Sequence, residues 1–449
     1  MKWKFFFLIL ISSFWPIRAN QLSGNDANSP EVMRAPERVA SAALERSLAK
    51  LRGRRYSRDD QGILVESLDG GKILAEFNAD VTFNPASVMK LATSFAALAH
   101  FGPDHRFQTS VYGDSEVNTQ KRTLLGNLYI LSDGNPVFGK KEAAGLSRSL
   151  VRRGLRRVEG DLVIAGPLSL DDRYGMSKSA EQLRRILGRN GLTFKGKTIL
   201  QDAASVTPNS KVLYLKHISD RLREILWLQN AHSVNEIADR LGTLLGGAAE
   251  VQKFLIENCG LDLSEIYVDR PSGLEYNRMS ARAAVKIMRS LYYWLDERQM
   301  KLHDIMPVAG LDAGTLFGRF RHPDVRGGVL GKTGTNPSKD GGVSTLAGLA
   351  YTLDHGPALY AILNSRGSVN TYRRWQDNFL RDLIEENGGL GEYLPAHEGT
   401  ESATSAWMPS EYWGSLAQAP ERRSFVKKSR STSVRKYGRN RRVGSRSRT

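Results

Sequence analysis

The segment Asn84–Lys90, NPASVMK, places a serine three residues before a lysine, directly ahead of the apolar run Leu91–Phe101. Side chains at positions i and i+3 lie on one face of a helix, so the lysine amine can reach the serine hydroxyl. The asparagine suits an N-cap and the proline a first helical residue, which predicts a helix start here. A serine needs an adjacent base to become a nucleophile, and a lysine of lowered pKa can be that base. We therefore expect Ser87 to be a catalytic nucleophile and Lys90 its base.

The Ser-x-x-Lys spacing by itself is a weak signal, because a single match more often lies on a solvated helix face. The spacing occurs three more times, at Ser47/Lys50, Ser424/Lys427 and Ser433/Lys436. The first of these pairs falls on a predicted amphipathic helix, Ala35–Leu51, and is expected to face solvent. Ser87 is distinguished by its position at a helix start and by two later motifs.

The second motif is Ser233-Val234-Asn235, which lies between helices predicted at Val212–Leu228 and Glu236–Leu245. We expect both outer residues to be catalytic, with the Ser233 hydroxyl relaying a proton and the Asn235 amide orienting the substrate. The alternative is that Ser233 caps a helix.

The third motif, Lys332-Thr333-Gly334, occurs once in the chain, on the predicted strand Val329–Gly334. Glycines on both sides of the Lys-Thr pair let a substrate backbone approach the strand closely. The lysine and the threonine offer a cation and a hydroxyl to a substrate carboxylate. The alternative is a glycine-flanked strand end without a function.

Helix and strand patterns are mixed along the chain, which indicates an α/β (α+β) fold with an antiparallel sheet flanked by helices. An Asp-Gly turn predicts a hairpin of Gly62–Ser67 and Lys72–Phe77. Other strands of the sheet are predicted at Val329–Gly334, Ser344–Leu353 and Ala358–Asn364, and a last helix at Thr371–Glu385. The expected parts are a signal peptide at 1–19, a main domain at 20–101 and 211–386, an inserted α+β region at 102–210, and a disordered linker and basic tail at 387–449.

The N-terminus indicates export. Two lysines precede an apolar run, Phe5–Trp15, which is short for a membrane span, and Ala19 suits a cleavage site. An uncleaved anchor is the alternative. The single cysteine, Cys259, excludes an intramolecular disulfide and a cysteine-based metal site, and the histidine spacings typical of metal sites are absent. We expect a protein of the periplasm or cell envelope that holds no metal.

The positive charge is concentrated at the C-terminus. The chain has a net charge of +17, and residues 421–449 hold twelve Lys and Arg and one acid. Such a tail could bind nucleic acid, but in an exported protein an anionic wall polymer or a membrane surface is the expected partner. A solvated, disordered tail without a partner is the alternative.

The three motifs, in this order, are those of penicillin-binding proteins and class A β-lactamases. Residues 35 to 386 resemble the D-alanyl-D-alanine carboxypeptidase/endopeptidase family, the serine DD-peptidases known as class C low-molecular-mass penicillin-binding proteins. Besides the motifs, the segments that carry the resemblance are Gly126–Tyr129, Gly160–Leu162, Asp269–Leu274 with Asn277, Pro307–Gly310 and Gly331–Thr335. The chain departs from the family at Val234 and Asn135, where a polar residue and an aspartate are usual.

The resemblance implies a transpeptidase-like main domain and a reaction without a metal or organic cofactor. Ser87 would attack the D-Ala-D-Ala bond of peptidoglycan stem peptides, and β-lactams would acylate the same serine. Lys90 would accept the Ser87 proton, kept neutral by repulsion from Lys332. The backbone N–H groups of Ser87 and Thr335 would form the oxyanion hole. The expected carboxylate-binding residues are Lys332, Thr333, Gly334 and Thr335.

Two other functions fit the same motifs. A class A β-lactamase would need a glutamate in a Glu-x-x-Leu-Asn setting, and none lies between the second and third motifs. A non-catalytic wall-binding protein of the same fold would not need three intact motifs. Carboxypeptidase, endopeptidase and transpeptidase activities share one acyl-enzyme, so the motifs do not rank them.

Overall fold

The computed structural model describes residues 35–170 and 175–391, together with the backbone of 406–409. The helices are α1 (Ala42–Gly53), α2 (Met89–Phe101), α3 (Lys140–Arg152), α4 (Met176–Arg189), α5 (Leu222–His232), α6 (Asn235–Leu244), α7 (Ala248–Cys259), α8 (Ala281–Asp296) and α9 (Val369–Glu386). No helix within the described ranges is both long and apolar enough to cross a membrane.

The strands include several of only two or three residues. They are β1 (Glu37–Arg38), β2 (Gln61–Ser67), β3 (Lys72–Phe77), β4 (Thr82–Phe83), β5 (Gln108–Gly113), β6 (Thr123–Leu124), β7 (Leu128–Ser132), β8 (Arg157–Val158), β9 (Leu162–Ala165), β10 (Thr193–Phe194), β11 (Thr198–Gln201), β12 (Val212–Ile218), β13 (Ile266–Tyr267), β14 (Arg278–Ser280), β15 (Val329–Asn336), β16 (Val343–Thr352), β17 (Gly356–Asn364) and β18 (Ala406–Pro409).

The main sheet joins strands from the two ends of the described chain, in the order β1-β3-β2-β17-β16-β15. The predicted hairpin is confirmed as antiparallel β2 and β3, and the three predicted late strands are confirmed as antiparallel β15, β16 and β17. Every residue of β2 is buried, so both faces of the sheet are covered. Side chains of α1 and α9 pack on one face, and side chains of α2 and α8 pack on the other. The predicted fold class is confirmed.

A second sheet is formed by strands that lie between α2 and α5 in the sequence together with β18, in the order β11-β9-β7-β5-β12-β18. The predicted helix Val212–Leu228 is wrong over its first half, because Val212–Ile218 is a strand that pairs antiparallel with β5. The apolar residues of this segment suit a helix or a strand. The segment forms a strand because β5 offers it backbone hydrogen-bond partners. The pairing extends the second sheet past residue 210, the predicted end of the insertion. The division into domains stays a prediction.

Other differences from the predicted elements lie near the chain ends. The helix predicted from Ala35 begins only at Ala42, because Glu37 and Arg38 pair with β3. Within the tail predicted to be disordered, residues 406–409 pair antiparallel with β12. The predicted signal peptide at 1–19 and the basic residues 421–449 lie outside the described residues.

Candidate active site

Ser87 lies in a single 3-10 turn, Ala86–Val88, that leads directly into α2. The α-helix therefore starts at Met89, later than the predicted start. The Asn84 side chain accepts a hydrogen bond from the Ala86 N–H at 2.9 Å, as a residue that caps a turn does. Ala86 has φ 45°, a left-handed conformation that is uncommon for a residue with a Cβ.

Two neighbouring segments hold the serine turn in place. The Thr345 hydroxyl on β16 donates to the Pro85 carbonyl oxygen at 2.7 Å. Gly273 has φ +86° and packs so closely that an added Cβ would overlap the Ala86 carbonyl oxygen. Gly334 is equally restricted, since its Cβ would lie 2.7 Å from the Pro85 oxygen and 3.0 Å from the Ser87 nitrogen. The glycine of the third motif therefore lets β15 lie directly against the serine turn.

Lys90 is buried and donates hydrogen bonds to three acceptors. Its Nζ lies 2.9 Å from Ser87 Oγ, 2.6 Å from Asn235 Oδ1 and 2.6 Å from the Ser272 carbonyl oxygen. A neutral amine has two N–H groups and one lone pair. If the two N–H groups serve the amide and carbonyl oxygens, the lone pair faces the Ser87 hydroxyl, as a base requires.

Burial lowers the pKa of the Lys90 amine from its usual 10.5 to about 7. The carboxylates of Asp239 and Glu236 act in the opposite direction and raise this pKa, while the Arg270 guanidinium lowers it. Burial is therefore the largest cause of the low pKa of Lys90, where the sequence had suggested repulsion from Lys332. Burial lowers the pKa of Lys332 well below its usual value, and the charge of Lys90 lowers it further.

Ser233 ends α5 and also takes part in the site. It has left-handed backbone angles, φ 58° and ψ 43°, and its N–H bonds to the Gln229 carbonyl oxygen. The side-chain cap considered from the sequence is not formed on α6, whose N-cap is Val234. The Ser233 hydroxyl instead accepts a hydrogen bond from Lys332 Nζ at 2.9 Å. The turn between α5 and α6 thus presents Ser233 to Lys332 and Asn235 to Lys90.

A buried polar network fixes α5 against α2 behind these side chains. Ser94 Oγ donates to the Lys90 carbonyl oxygen at 2.7 Å and accepts from the side-chain amides of Gln229 and Asn230. The Asn230 amide also donates to the Ile305 carbonyl oxygen at 2.8 Å. Because buried polar groups are costly unless paired, this network specifies how the two helices align.

The third motif occupies β15, the edge strand of the main sheet. Lys332 is fully buried and its Nζ also donates to the Thr333 carbonyl oxygen at 2.7 Å. The Thr333 hydroxyl donates to the Thr315 hydroxyl at 2.8 Å, and the Thr335 hydroxyl accepts from the Arg373 guanidinium at 2.9 Å. The structure therefore brings all three predicted motifs into one site and adds residues that the sequence did not indicate.

The added residues come from four separate segments. Asp239 of α6 accepts from the Ser272 N–H at 3.0 Å and from Arg270 Nε at 2.9 Å, which positions the carbonyl group that Lys90 contacts. Thr315 lies in the loop before β15, and Arg373 lies on α9. The segment Asp269–Leu274 resembles the family in sequence, and this resemblance had indicated the Ser272 turn. No local pattern marks the threonine or the arginine, because each contact joins segments distant in sequence.

The comparison with known families decides the classification. A model of the D-Ala-D-Ala carboxypeptidase 3 (S13) family matches residues 41–177 and 167–379. The chain belongs to this family. D-alanyl-D-alanine carboxypeptidase DacB of Haemophilus influenzae is 21% identical over 64% of this S13 chain and 81% of its own length.

Solved structures show the same fold. Penicillin-binding protein 4 of Haemophilus influenzae has a TM-score of 0.57 and 19% identity over 73% of this chain and 96% of its own. The penicillin G-acylated predatory endopeptidase of Bdellovibrio bacteriovorus, in complex with its immunity protein, has a TM-score of 0.62 and 21% identity, covering 78% and 99%. This member of the S13 family therefore has the penicillin-binding fold.

Proposed function

We propose that this S13 protein is a serine-type D-Ala-D-Ala carboxypeptidase/endopeptidase that acts on peptidoglycan stem peptides through an acyl-enzyme on Ser87. The observation that carries the proposal is the 2.9 Å contact between Lys90 Nζ and Ser87 Oγ. A lysine whose pKa is about 7 is half neutral near pH 7, so it can accept a proton without an added base.

In the first step, Ser87 Oγ attacks the carbonyl carbon of the penultimate D-Ala while its proton moves to Lys90 Nζ. The new oxyanion would be stabilised by the N–H groups of Ser87 and Thr335. The C–N bond then breaks, and Ser233 passes a proton to the leaving amine nitrogen. Ser233 then regains a proton at the expense of Lys90, which returns to its neutral form, so the leaving group has in effect received the proton of Ser87.

In the second step, water attacks the ester carbonyl carbon. Lys90 takes a proton from the water, the bond to Ser87 Oγ breaks, and the serine recovers its proton. Asn235 holds Lys90 through its Oδ1 and leaves its NH₂ group for a substrate carbonyl oxygen. Lys332, Thr333, Gly334 and Thr335 would bind the substrate along β15. No step requires a metal or an organic cofactor.

Penicillin labelling tests the nucleophile. β-Lactams resemble the acyl-D-Ala-D-Ala end, and the Bdellovibrio relative is found acylated by penicillin G. We expect a labelled penicillin to modify the wild type and not Ser87→Ala. Ser47→Ala is the matched control, because Ser47 has the same Ser-x-x-Lys spacing outside the site and should label normally. The expectation that Ser47 faces solvent was wrong, because its side chain is buried in the inner face of α1. Labelling of Ser87→Ala would show that Ser87 is not the nucleophile.

Digestion of purified muropeptides separates the possible activities. Loss of a terminal D-Ala would establish carboxypeptidase activity, and cleavage of cross-links would establish endopeptidase activity. Rapid release of hydrolysed penicillin without peptide cleavage would favour a β-lactamase. Failure to form any acyl-enzyme would favour a non-catalytic wall-binding protein.

We propose that the protein is exported to the periplasm or cell envelope and that residues 421–449 bind an anionic wall polymer or membrane surface. The twelve basic residues of this tail are the reason. Deletion of 421–449 is expected to reduce retention in the envelope fraction at low salt. Unchanged retention would contradict the anchoring role.

A further inference from the structure

Outside the C-terminal tail, the positive charge of the chain is concentrated in the segment that contains β6 to β10. Residues 121–197 hold sixteen Lys and Arg and seven Asp and Glu, a net charge of +9. The other residues up to position 420 have a net charge of −3. A surface with an excess of one charge attracts partners of the opposite charge. The partner expected for this segment is therefore anionic.

Five exposed cations of this segment lie at the start of the small parallel sheet, whose strand order is β10-β8-β6. Two of them precede β6, one precedes β8, and one ends each of the helices α3 and α4. We call this surface the basic edge, and its members are Lys121, Arg122, Arg152, Arg156 and Arg189.

Close backbone contacts hold the members of the basic edge together. The Arg122 carbonyl oxygen accepts a hydrogen bond from the Arg156 N–H at 2.9 Å. A Cβ built on Gly191 would lie 2.5 Å from Arg156 Nη1 and 3.9 Å from the Val151 side chain. Gly191 follows α4 and Val151 belongs to the last turn of α3, so the Arg156 guanidinium lies close to the ends of both helices.

The charge of the basic edge is not balanced by nearby acids. Within residues 35–170 and 175–391, none of its five side chains lies within ion-pair distance of a carboxylate. Glu159, which follows β8, already pairs with Arg157 at 2.6 Å and with Lys195 at 2.5 Å. The partial negative charge of a helix C-terminus favours the two arginines that end α3 and α4. It does not account for the other three cations.

An exposed leucine lies near these cations. Leu125 directly follows β6 and is 65% exposed, whereas Leu124 is fully buried. Neighbouring residues of a strand point to opposite faces, so Leu125 points outward, about 10 Å along the chain from Arg122. A soluble anionic polymer gains little from a leucine, but a bilayer can bury it at the boundary of the headgroups and acyl chains. An apolar side chain close to several cations therefore favours a membrane over a polymer.

We propose that the basic edge binds the surface of an anionic lipid bilayer, with Leu125 inserted among the headgroups. Four of the five cations are arginines, whose guanidinium groups donate paired hydrogen bonds to phosphate oxygens. Because the cations come from four separate segments, they contact several headgroups at once. This surface is separate from the basic tail, and its role does not depend on the peptidase activity.

The experiment measures how the exported full-length protein partitions onto lipid vesicles in about 0.1 M salt. One set of vesicles contains phosphatidylglycerol and phosphatidylcholine, and the other contains phosphatidylcholine alone. The triple variant Arg122→Gln/Arg156→Gln/Arg189→Gln should bind the anionic vesicles about 100-fold less tightly, since each Lys or Arg near such a surface contributes roughly fivefold. Its binding to the neutral vesicles should not change. In about 1 M salt, where charges are screened within about 3 Å, the difference between the variant and the wild type should disappear.

The matched control, Arg46→Gln/Arg52→Gln/Arg54→Gln, removes three exposed arginines on and just after α1. It should lose less than about threefold, because charges farther than about 10 Å from the bilayer are largely screened. Urea unfolding midpoints equal to that of the wild type would show that both variants are folded. This check does not depend on penicillin binding.

A second measurement tests the contact of Leu125. Leu125→Cys, labelled with an environment-sensitive fluorophore, should show a blue shift with the anionic vesicles, while the buried Cys259 stays unlabelled. No shift would overturn the proposal. Equal losses in the two triple variants, or no loss in the basic-edge variant, would also overturn it, and the second result would leave the tail as the binding segment. Binding of the wild type to soluble polyphosphate but not to anionic vesicles would overturn it in favour of a wall polymer.

Discussion

Gly273 lies in close contact with the serine turn, and this contact predicts the outcome of Gly273→Ala. Real Cβ atoms essentially never approach within 3.0 Å, yet the added Cβ would overlap the Ala86 carbonyl oxygen. Relief requires the turn and the glycine segment to separate by roughly 1 Å, because the packed surroundings resist compression. A displacement of about 1 Å at a reacting group can reduce a rate about 100-fold.

The backbone adds a separate cost to Gly273→Ala. Its φ of +86° is one that L side chains rarely adopt, which costs on the order of 1–2 kcal/mol for a residue with a Cβ. We therefore expect a second-order rate of penicillin acylation about 100-fold lower, and a free energy of unfolding lower by about 1–3 kcal/mol. Stopped-flow or gel-based acylation would measure the rate, and urea unfolding the stability.

Gly154→Ala is the matched control. Gly154 has φ +97° and no atom within 4 Å of an added Cβ, so the change introduces backbone strain without a contact. It should lose only the part of the stability that backbone strain removes, about 1–2 kcal/mol, and be acylated at the wild-type rate. Normal acylation of a folded Gly273→Ala would refute the reasoning that this contact positions Ser87.

Three further predictions use other contacts. Because Lys90 must be neutral and its pKa is about 7, the acylation rate should fall as the pH drops below about 7 and level off above it, as a pH profile will show. In Asp239→Asn the carboxylate that raises the Lys90 pKa is lost, so the acidic limb should move to lower pH; a fixed limb would contradict this. Tyr360→Phe removes the 2.8 Å hydrogen bond to the Leu330 carbonyl oxygen and should lower the free energy of unfolding by about 1 kcal/mol, measured in urea.

The shift of the Lys90 pKa also affects stability. An unfolded chain has the usual lysine pKa of 10.5, whereas the folded value is about 7. Between these values the unfolded state binds more protons, so this lysine makes the free energy of unfolding rise with pH from about 7 to 10.5. Below about pH 7 this lysine is protonated in both states, so it lowers the free energy of unfolding by its full amount.

The local sequence predicted much of the site and the main sheet. The spacing of Ser87 and Lys90 and the Asp-Gly hairpin depend on residues that are close in the chain, where backbone geometry alone dictates neighbours. The late strands β15 to β17 were also predicted, because each is a long apolar run bounded by turn residues. The structure places the predicted side chains together, and their catalytic roles stay a proposal.

Tertiary structure decided what the local sequence could not. Residues Val212–Ile218 are a strand because β5, about 100 residues earlier, offers backbone partners. The low pKa of Lys90 arises from burial, which depends on α6, the Ser272 turn and β15 meeting around it. Arg373 reaches Thr335 only because α9 packs on the main sheet. The sequence by itself determined which groups could react, and the packing of distant segments determined the charge and the contacts of those groups.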